Sequence, residues 1–302
     1  MTSTFRLAPD EPVPDGMRRI AREQIDEARS SLQAPTSELD EGIHDTRKRL
    51  KRLRASVRLA RDAIGDETYD RENTAFRDLG RSLSGARDAT VLIETLDNVR
   101  EREGDALPRT ATADVRARLV AEHDRELAAV AHDDIAIGDG LDELEIDRIR
   151  TTTWTFDGDG IEALTPGLKR IYRRGRKAMR EADDDPTDEH LHESRKRSKD
   201  LWHAAQILRP AAPKRMKKLA RRAHRLADAL GDDHDLAQLR TYVDAHPDCF
   251  RSPADQIALC VAIDRRRTKL QKKALHRGSR IYRRRPKRFV RGVERRRHAH
   301  MR

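Results

Sequence analysis

Apolar residues return every three to four positions along most of this chain, and short polar or proline-containing stretches separate the runs. That period predicts helices over 15–33, 38–64, 67–84, 88–103, 111–132, 161–182, 187–209, 213–230, 234–245 and 254–277, with a further basic helix after Pro286. Pro35, Pro108, Pro186 and Pro253 fall between these segments, and Pro166 and Pro213 lie near the starts of theirs, where the missing N–H does least harm. Strand-like patterning is confined to a β-branched patch at Thr151–Thr155. The stretch around it, 133–160, is acidic and contains glycine, and it reads as a linker or insertion. Helices joined by short loops, without strands, predict an all-α fold of packed bundles.

The chain also repeats itself. His44-Asp-Thr-Arg47-Lys48-Arg49-Leu-Lys51 is matched by His192-Glu-Ser-Arg195-Lys196-Arg197-Ser-Lys199 at an offset of 148 residues. Met17-Arg-Arg-Ile20 matches Leu168-Lys-Arg-Ile171, and Leu83…Arg87-Asp88 matches Leu230-Gly231…His234-Asp235, at offsets of 151 and 147. Three matches in one order predict two similar helical halves about a pseudo-two-fold axis. The expected layout is a flexible 1–14, a first bundle over 15–132, the 133–160 linker, a second bundle over 161–285 and a basic C-terminal helix or tail over 286–302.

Drawn at about 100° per residue from His44, Arg47, Lys48, Lys51, Ala55 and Arg58 fall within about 60° of the histidine, and Ile43, Leu50, Leu53, Val57, Ala60 and Ile64 fall opposite. The second copy places His192, Arg195, Lys196, Lys199 and His203 on one face against Leu191, Leu201, Ala205 and Leu208. A solvated helix face ordinarily mixes signs, because i,i+4 pairs of opposite charge contribute roughly 0.2–0.5 kcal/mol each. These stripes set like charges three and four apart at repeat-equivalent positions, which predicts an anion between them.

Composition sharpens that picture. The 302 residues carry a net charge of +11 at a charged fraction of 39%, and the balance is uneven. Residues 1–150 hold 25 basic and 33 acidic side chains, whereas 151–302 hold 39 and 20. Further cations cluster on the first helix of each half, Arg18 and Arg22, then Lys169 and Arg173, and on the helix after Pro213, with Lys214, Lys217, Lys218, Arg221, Arg222 and Arg225. Arg forks bind phosphate oxygens bidentately, Lys supplies mobile charge, and a histidine near its ordinary pKa of about 6.5 gains charge on meeting phosphate. Aromatics are only 4% of the chain, so the stacking platforms of a base reader are missing. A repeating phosphate without bases fits best.

Other chemistries are weaker. Two cysteines give neither a disulfide framework nor a thiolate zinc site. His44 and His192 lack a same-face His or carboxylate to share a metal, and no cofactor is expected. Asp88 and Asp235 have no paired nucleophile, and are expected to cap helix starts or to hold a basic side chain. Glu143-Leu-Glu145-Ile-Asp147 alternates acids, as a triphosphate-tunnel enzyme would, but lacks strand support and the closing Lys. No run of 18 apolar residues and no leader pattern occurs, so a soluble, cytoplasmic protein is expected.

On these motifs the chain resembles the CHAD family, the conserved histidine α-helical domain. His44…Arg47…Lys51-Arg52-Leu53-Arg54 is similar to the family's first histidine motif and His192…Arg195-Lys196…Lys199 to its second. Leu83…Arg87-Asp88 and Leu230-Gly231…Asp235 are similar to its Leu-Gly…Asp motifs, and Gly278-Ser-Arg-Ile-Tyr282…Pro286-Lys-Arg-Phe289 to its C-terminal stretch. The resemblance implies two four-helix bundles around a central basic groove that binds inorganic polyphosphate, with association to polyphosphate granules. It also implies that His44, Arg47, Lys51, Arg52 and Arg54 line the groove with His192, Arg195, Lys196 and Lys199. The chain departs from the pattern at Asp200 and Trp202, which replace the Arg52 and Arg54 of the first copy, at Ser84 and His234, and at the extra cation Lys48. The expected function is non-catalytic polyphosphate binding. The alternative is non-specific nucleic-acid binding through Arg265–Arg302, which has 18 basic residues and one acid.

Overall fold

A computed structural model describes residues 5–35, 39–83, 87–131 and 134–298. Among them are eleven α-helices and no strand: α1 (Val13–Leu32), α2 (Leu39–Ile64), α3 (Asp66–Ser82), α4 (Arg87–Glu103), α5 (Thr110–Ala131), α6 (Asp134–Arg150), α7 (Thr165–Asp184), α8 (Asp188–Ile207), α9 (Pro213–Ala245), α10 (Pro253–Tyr282) and α11 (Pro286–His298). Local chemistry marks several starts. Thr187 accepts from the His190 amide before α8, and Ser252 accepts from the Asp255 amide before α10. Asp188 and Glu189, Asp66 and Glu67, and Asp40 and Glu41 put negative charge at the positive ends of their helices.

Three expectations need correction. The segments 213–230 and 234–245 are one helix, α9, of 33 residues. Gly231 costs about 1 kcal/mol in a helix interior, but Leu226 and Leu230 are buried on one side of it and Leu236, Leu239 and Val243 on the other. Those five side chains, at roughly 1.5–3 kcal/mol each, keep the helix continuous through the glycine. The matching stretch of the first half does divide, α3 ending at Ser82 and α4 starting at Arg87.

The supposed linker is also structured. Residues 134–150 form α6, which packs on α1 and α3, with Leu144 and Trp154 fully buried. The Glu143–Asp147 alternation therefore sits on a helix, where Asp147 is buried beside Arg150 and Arg150 donates to Glu72 at 3.0 Å. Nor is the described part of 1–14 loose. Leu7 is buried and its amide donates to Ile207 at 3.2 Å, while Phe5 meets the His203 ring edge-on. Helix α1 begins at Val13, whose amide donates to Asp159.

The cores divide the molecule differently from the expected 15–132 and 161–285 bundles. The larger draws on α1, α2, α3, α6, α7, α8, the first part of α9, the end of α10 and α11. The smaller draws on α4, α5, the second part of α9 and the first part of α10. Each core contains residues from both halves, because α9 and α10 run through both. The halves meet closely where α7 crosses α2. Gly167 lies so near that a Cβ there would collide with the Leu59 carbonyl. The order α1, α2, α3–α4, α5 is followed by α7, α8, α9, α10 in the second half.

Candidate phosphate-chain cleft

Helices α2 and α8 pack against each other, and the point of contact sorts the stripe residues. Ala55 and His203, at equivalent positions in the two copies, are both buried. Near them Arg58 reaches across to Asp200 at 2.9 Å, and Asp200 takes a second bond from Arg197 at 3.1 Å. The departure at Asp200 thus ties the two histidine helices together. Trp202, the other departure, stacks on His203 and His224, with ring centroids 4.5 and 4.0 Å away.

Away from this contact the helices flank a cleft of about 630 Å³. His44, Arg47 and Lys51 line it from α2, and Arg195 and Lys199 from α8. Arg102 of α4 and Arg266 of α10 add charge that the stripes do not account for, and Thr95, Asn98 and Gln238 add neutral polar groups. Glu94, Asp232 and Asp235 are carboxylates in the same wall. Asp235 is not a helix cap, since it lies inside α9. It stands 3.9 Å from Arg195, and one turn earlier Gly231 lies beside the same guanidinium, where a Cβ would make ordinary van der Waals contact with Arg195 Nε at 3.4 Å. The Leu-Gly…Asp motif is therefore the seat of Arg195. The Asp88 side chain lies outside the described residues.

Burial dominates the electrostatics here. It pushes Asp235 and Asp232 above the usual carboxylate range, against the pull of Arg195 and Lys199 on the first and Arg266 on the second. It pulls Lys199 down, helped by Arg195. His234 also lines the cleft, and His192 lies against it with ring centroids 4.4 Å apart and its own Nδ1 buried without a hydrogen-bond partner. Burial first, then His234, Lys196 and Arg195, hold His192 at about 4, and His234 is lowered as well. His192 is therefore held neutral at pH 7.

The other candidates go elsewhere. Lys48 and Lys196 are repeat-equivalent and each pairs with an acid three residues earlier, Asp45 at 3.2 Å and Glu193 at 2.7 Å. Arg52 and Arg54 lie about 80° to either side of His44 on the helix wheel, where neighbouring helices pack. Arg52 donates to Gln24 of α1 and lies over Phe5, and Arg54 donates to Asn73 of α3, burial beside Arg58 pulling it down to about 10. Arg18 clamps the Trp154 carbonyl through two N–H groups at 3.1 and 2.6 Å. Arg22 and Arg173 are exposed on α1 and α7, outside the cleft, as is the half-buried Lys169 of α7. Arg221 and Arg225 are exposed on the first half of α9, and Lys218 lines a different cleft. Arg102 and Arg266 left no mark in the repeat, and only the packing of α4 and α10 brings them in.

The CHAD domain model matches residues 19–244, and the chain belongs to that family. Two uncharacterized proteins of Mycobacterium tuberculosis, MT2285 of strain CDC 1551 / Oshkosh and Rv2226 of strain ATCC 25618 / H37Rv, are each 27% identical over 212 residues. The match covers 65% of this chain and 39% of theirs, so the chain spans well under half the length of these curated relatives. Among solved structures, the CHAD domain of the plant Ricinus communis superposes with a TM-score of 0.64 at 18% identity, covering 90% of this chain and 94% of that one. PptA from Streptomyces chartreusis gives 0.62 at 14% identity, covering 90% and 100%. These two likenesses show the all-α fold. No helix among the described residues is long and apolar enough to cross a membrane.

Proposed function

We propose that this protein binds inorganic polyphosphate, without transforming it, in the cleft flanked by α2 and α8. The observation that carries the proposal is the convergence of His44, Arg47 and Lys51 with Arg195 and Lys199 in one cavity, reinforced by Arg102 and Arg266. Charge-assisted bonds from several fixed guanidinium and ammonium groups match a chain of phosphate oxygens and make no use of a base. The cleft's carboxylates lie against these cations and serve to hold them, as Asp235 does for Arg195. Such a module would recruit its carrier to polyphosphate granules within the cytoplasm.

The test is a calorimetric titration with polyphosphates of graded length, run beside single- and double-stranded DNA of matched charge. Affinity is expected to rise with chain length, to fall steeply with salt, and to exceed that for DNA. Equal affinity for DNA of matched charge would reject the assignment. Phosphate release in the presence of Mg²⁺ would reject its non-catalytic part.

A further inference from the structure

A second cationic cleft, of about 530 Å³, opens at the other end of α9, between its first turns, the end of α10 and the start of α11. Lys214, Lys218 and Arg222 line it from α9, facing Arg280, Arg283 and Arg284 at the α10–α11 junction. No carboxylate among the described residues lines this cleft, and none of these six cations makes an ion pair there. Lys218 and Asp235 are both on the continuous helix α9, 17 residues and so about 25 Å apart along its axis. The family match ends at residue 244, before any of the α10–α11 contribution.

The junction is held rigidly. The Tyr172 hydroxyl meets the carbonyls of Ile281 at 3.0 Å and Arg284 at 3.1 Å, and Arg176 donates to the Tyr282 carbonyl at 3.2 Å. Phe289 stacks flat on Tyr172 with centroids 3.9 Å apart, and Arg215 donates to the Phe289 carbonyl at 3.1 Å while lying over its ring. Arg283 and Arg284 therefore project from a fixed backbone. The same packing buries Phe289, the aromatic of this lining, so no ring is presented for a base to stack on. Six like charges facing one another without a counter-charge repel, and a linear chain of phosphates relieves that repulsion at every residue of the wall.

We infer that this cleft is a second, independent phosphate-chain site, able to take a segment of inorganic polyphosphate while the α2–α8 cleft holds another. The choice of ligand rests on the polyphosphate assignment of the first cleft; the existence of the site does not. One long chain held at two points gains by effective concentration over a short one.

The experiment titrates the full chain with tripolyphosphate by calorimetry, and with long-chain polyphosphate and single-stranded DNA by fluorescence anisotropy. It uses wild type, Arg222→Glu with Arg284→Glu, the milder Arg222→Gln with Arg284→Gln, and Arg47→Glu with Arg195→Glu. Wild type should bind two tripolyphosphates and each Glu pair one. Long-chain affinity should fall at least about tenfold in the Arg222/Arg284 Glu variant, and less in the Gln variant. Unchanged stoichiometry and affinity in both Arg222/Arg284 variants would overturn the site. Loss of single-stranded DNA binding with polyphosphate binding intact would make the cleft a nucleic-acid surface and overturn the ligand. Failure of the first cleft's assignment shows separately, as an Arg47/Arg195 variant that still binds two. Circular dichroism confirms folding in each case.

Discussion

The cleft between α2 and α8 mixes six cations with three carboxylates, whereas the cleft at the α10–α11 junction has no acid in its lining. In the first, Asp235 steadies Arg195 in the absence of ligand, and burial already raises its pKa. An arriving anion must displace or protonate such carboxylates. The second cleft has only its backbone clamps to hold the charges, and side chains that stay solvated until a ligand arrives. Similar numbers of cations can thus give a pre-ordered, pH-sensitive site in one place and a salt-sensitive one in another.

The largest effect separates the clefts from ordinary surface. Arg47→Glu with Arg195→Glu should weaken polyphosphate binding at least about 100-fold, since each charge-assisted contact contributes roughly 1.5–3 kcal/mol. The same change at the exposed Arg100 and Arg180 should alter it about twofold or less. Anisotropy titrations decide between the sets, and equal losses would make the stripes unremarkable surface. Next comes salt. By analogy with nucleic acids, the slope of log affinity against log salt should flatten by about 0.7 for each phosphate contact removed. It should flatten measurably in Arg222→Glu with Arg284→Glu.

A smaller effect tests the carboxylates. Asp235→Asn should tighten binding about threefold at pH 7, because no negative charge then opposes the ligand. That advantage should vanish as pH falls, because the raised pKa of Asp235 lets the wild-type carboxyl take up its proton. Weaker binding by Asp235→Asn at pH 7 would show that seating Arg195 matters more than the repulsion.

The smallest effect concerns stability. Burial holds His203 at about 3, with Gln206 bonded to it and Arg52, Lys199 and His224 facing it, and holds His192 at about 4. Both are depressed from 6.5, so the unfolded chain takes up their protons first. Their stabilising share is complete above pH 6.5 and is lost as pH falls toward 4. Asp147, pushed up to about 7 by burial, works in the opposite direction as pH falls from 7. The comparison must therefore be between variants. His203→Phe should lose less melting temperature between pH 7 and 4.5 than wild type, and parallel curves would refute the buried-histidine account.

Much of this was readable from residues alone. The period placed the helices, and the two histidine motifs put Arg47, Lys51, Arg195 and Lys199 on one face each, all four of which line one cleft. A helix wheel does not show that Ala55 and His203 are buried, or that Arg58 of α2 crosses to Asp200 of α8. Lys48 and Lys196 share the stripes with the four cleft residues, yet each has its acid three residues away in the sequence, Asp45 and Glu193. For α6, glycine and acidity suggested a linker, but Leu144 and Trp154 supply enough buried surface to fold it against α1.

The amino-acid order alone determined the helical content, the aliphatic face of each histidine helix and the cations that share a side. Tertiary structure decided which of those cations line the cleft, which become clamps, and that Arg102 and Arg266 join them. It also decided that the cores are shared between the halves. Helical period sets a side chain's direction only about its own axis. Exposure, ion pairing and proton affinity depend on which other helix crosses there, and at what residue.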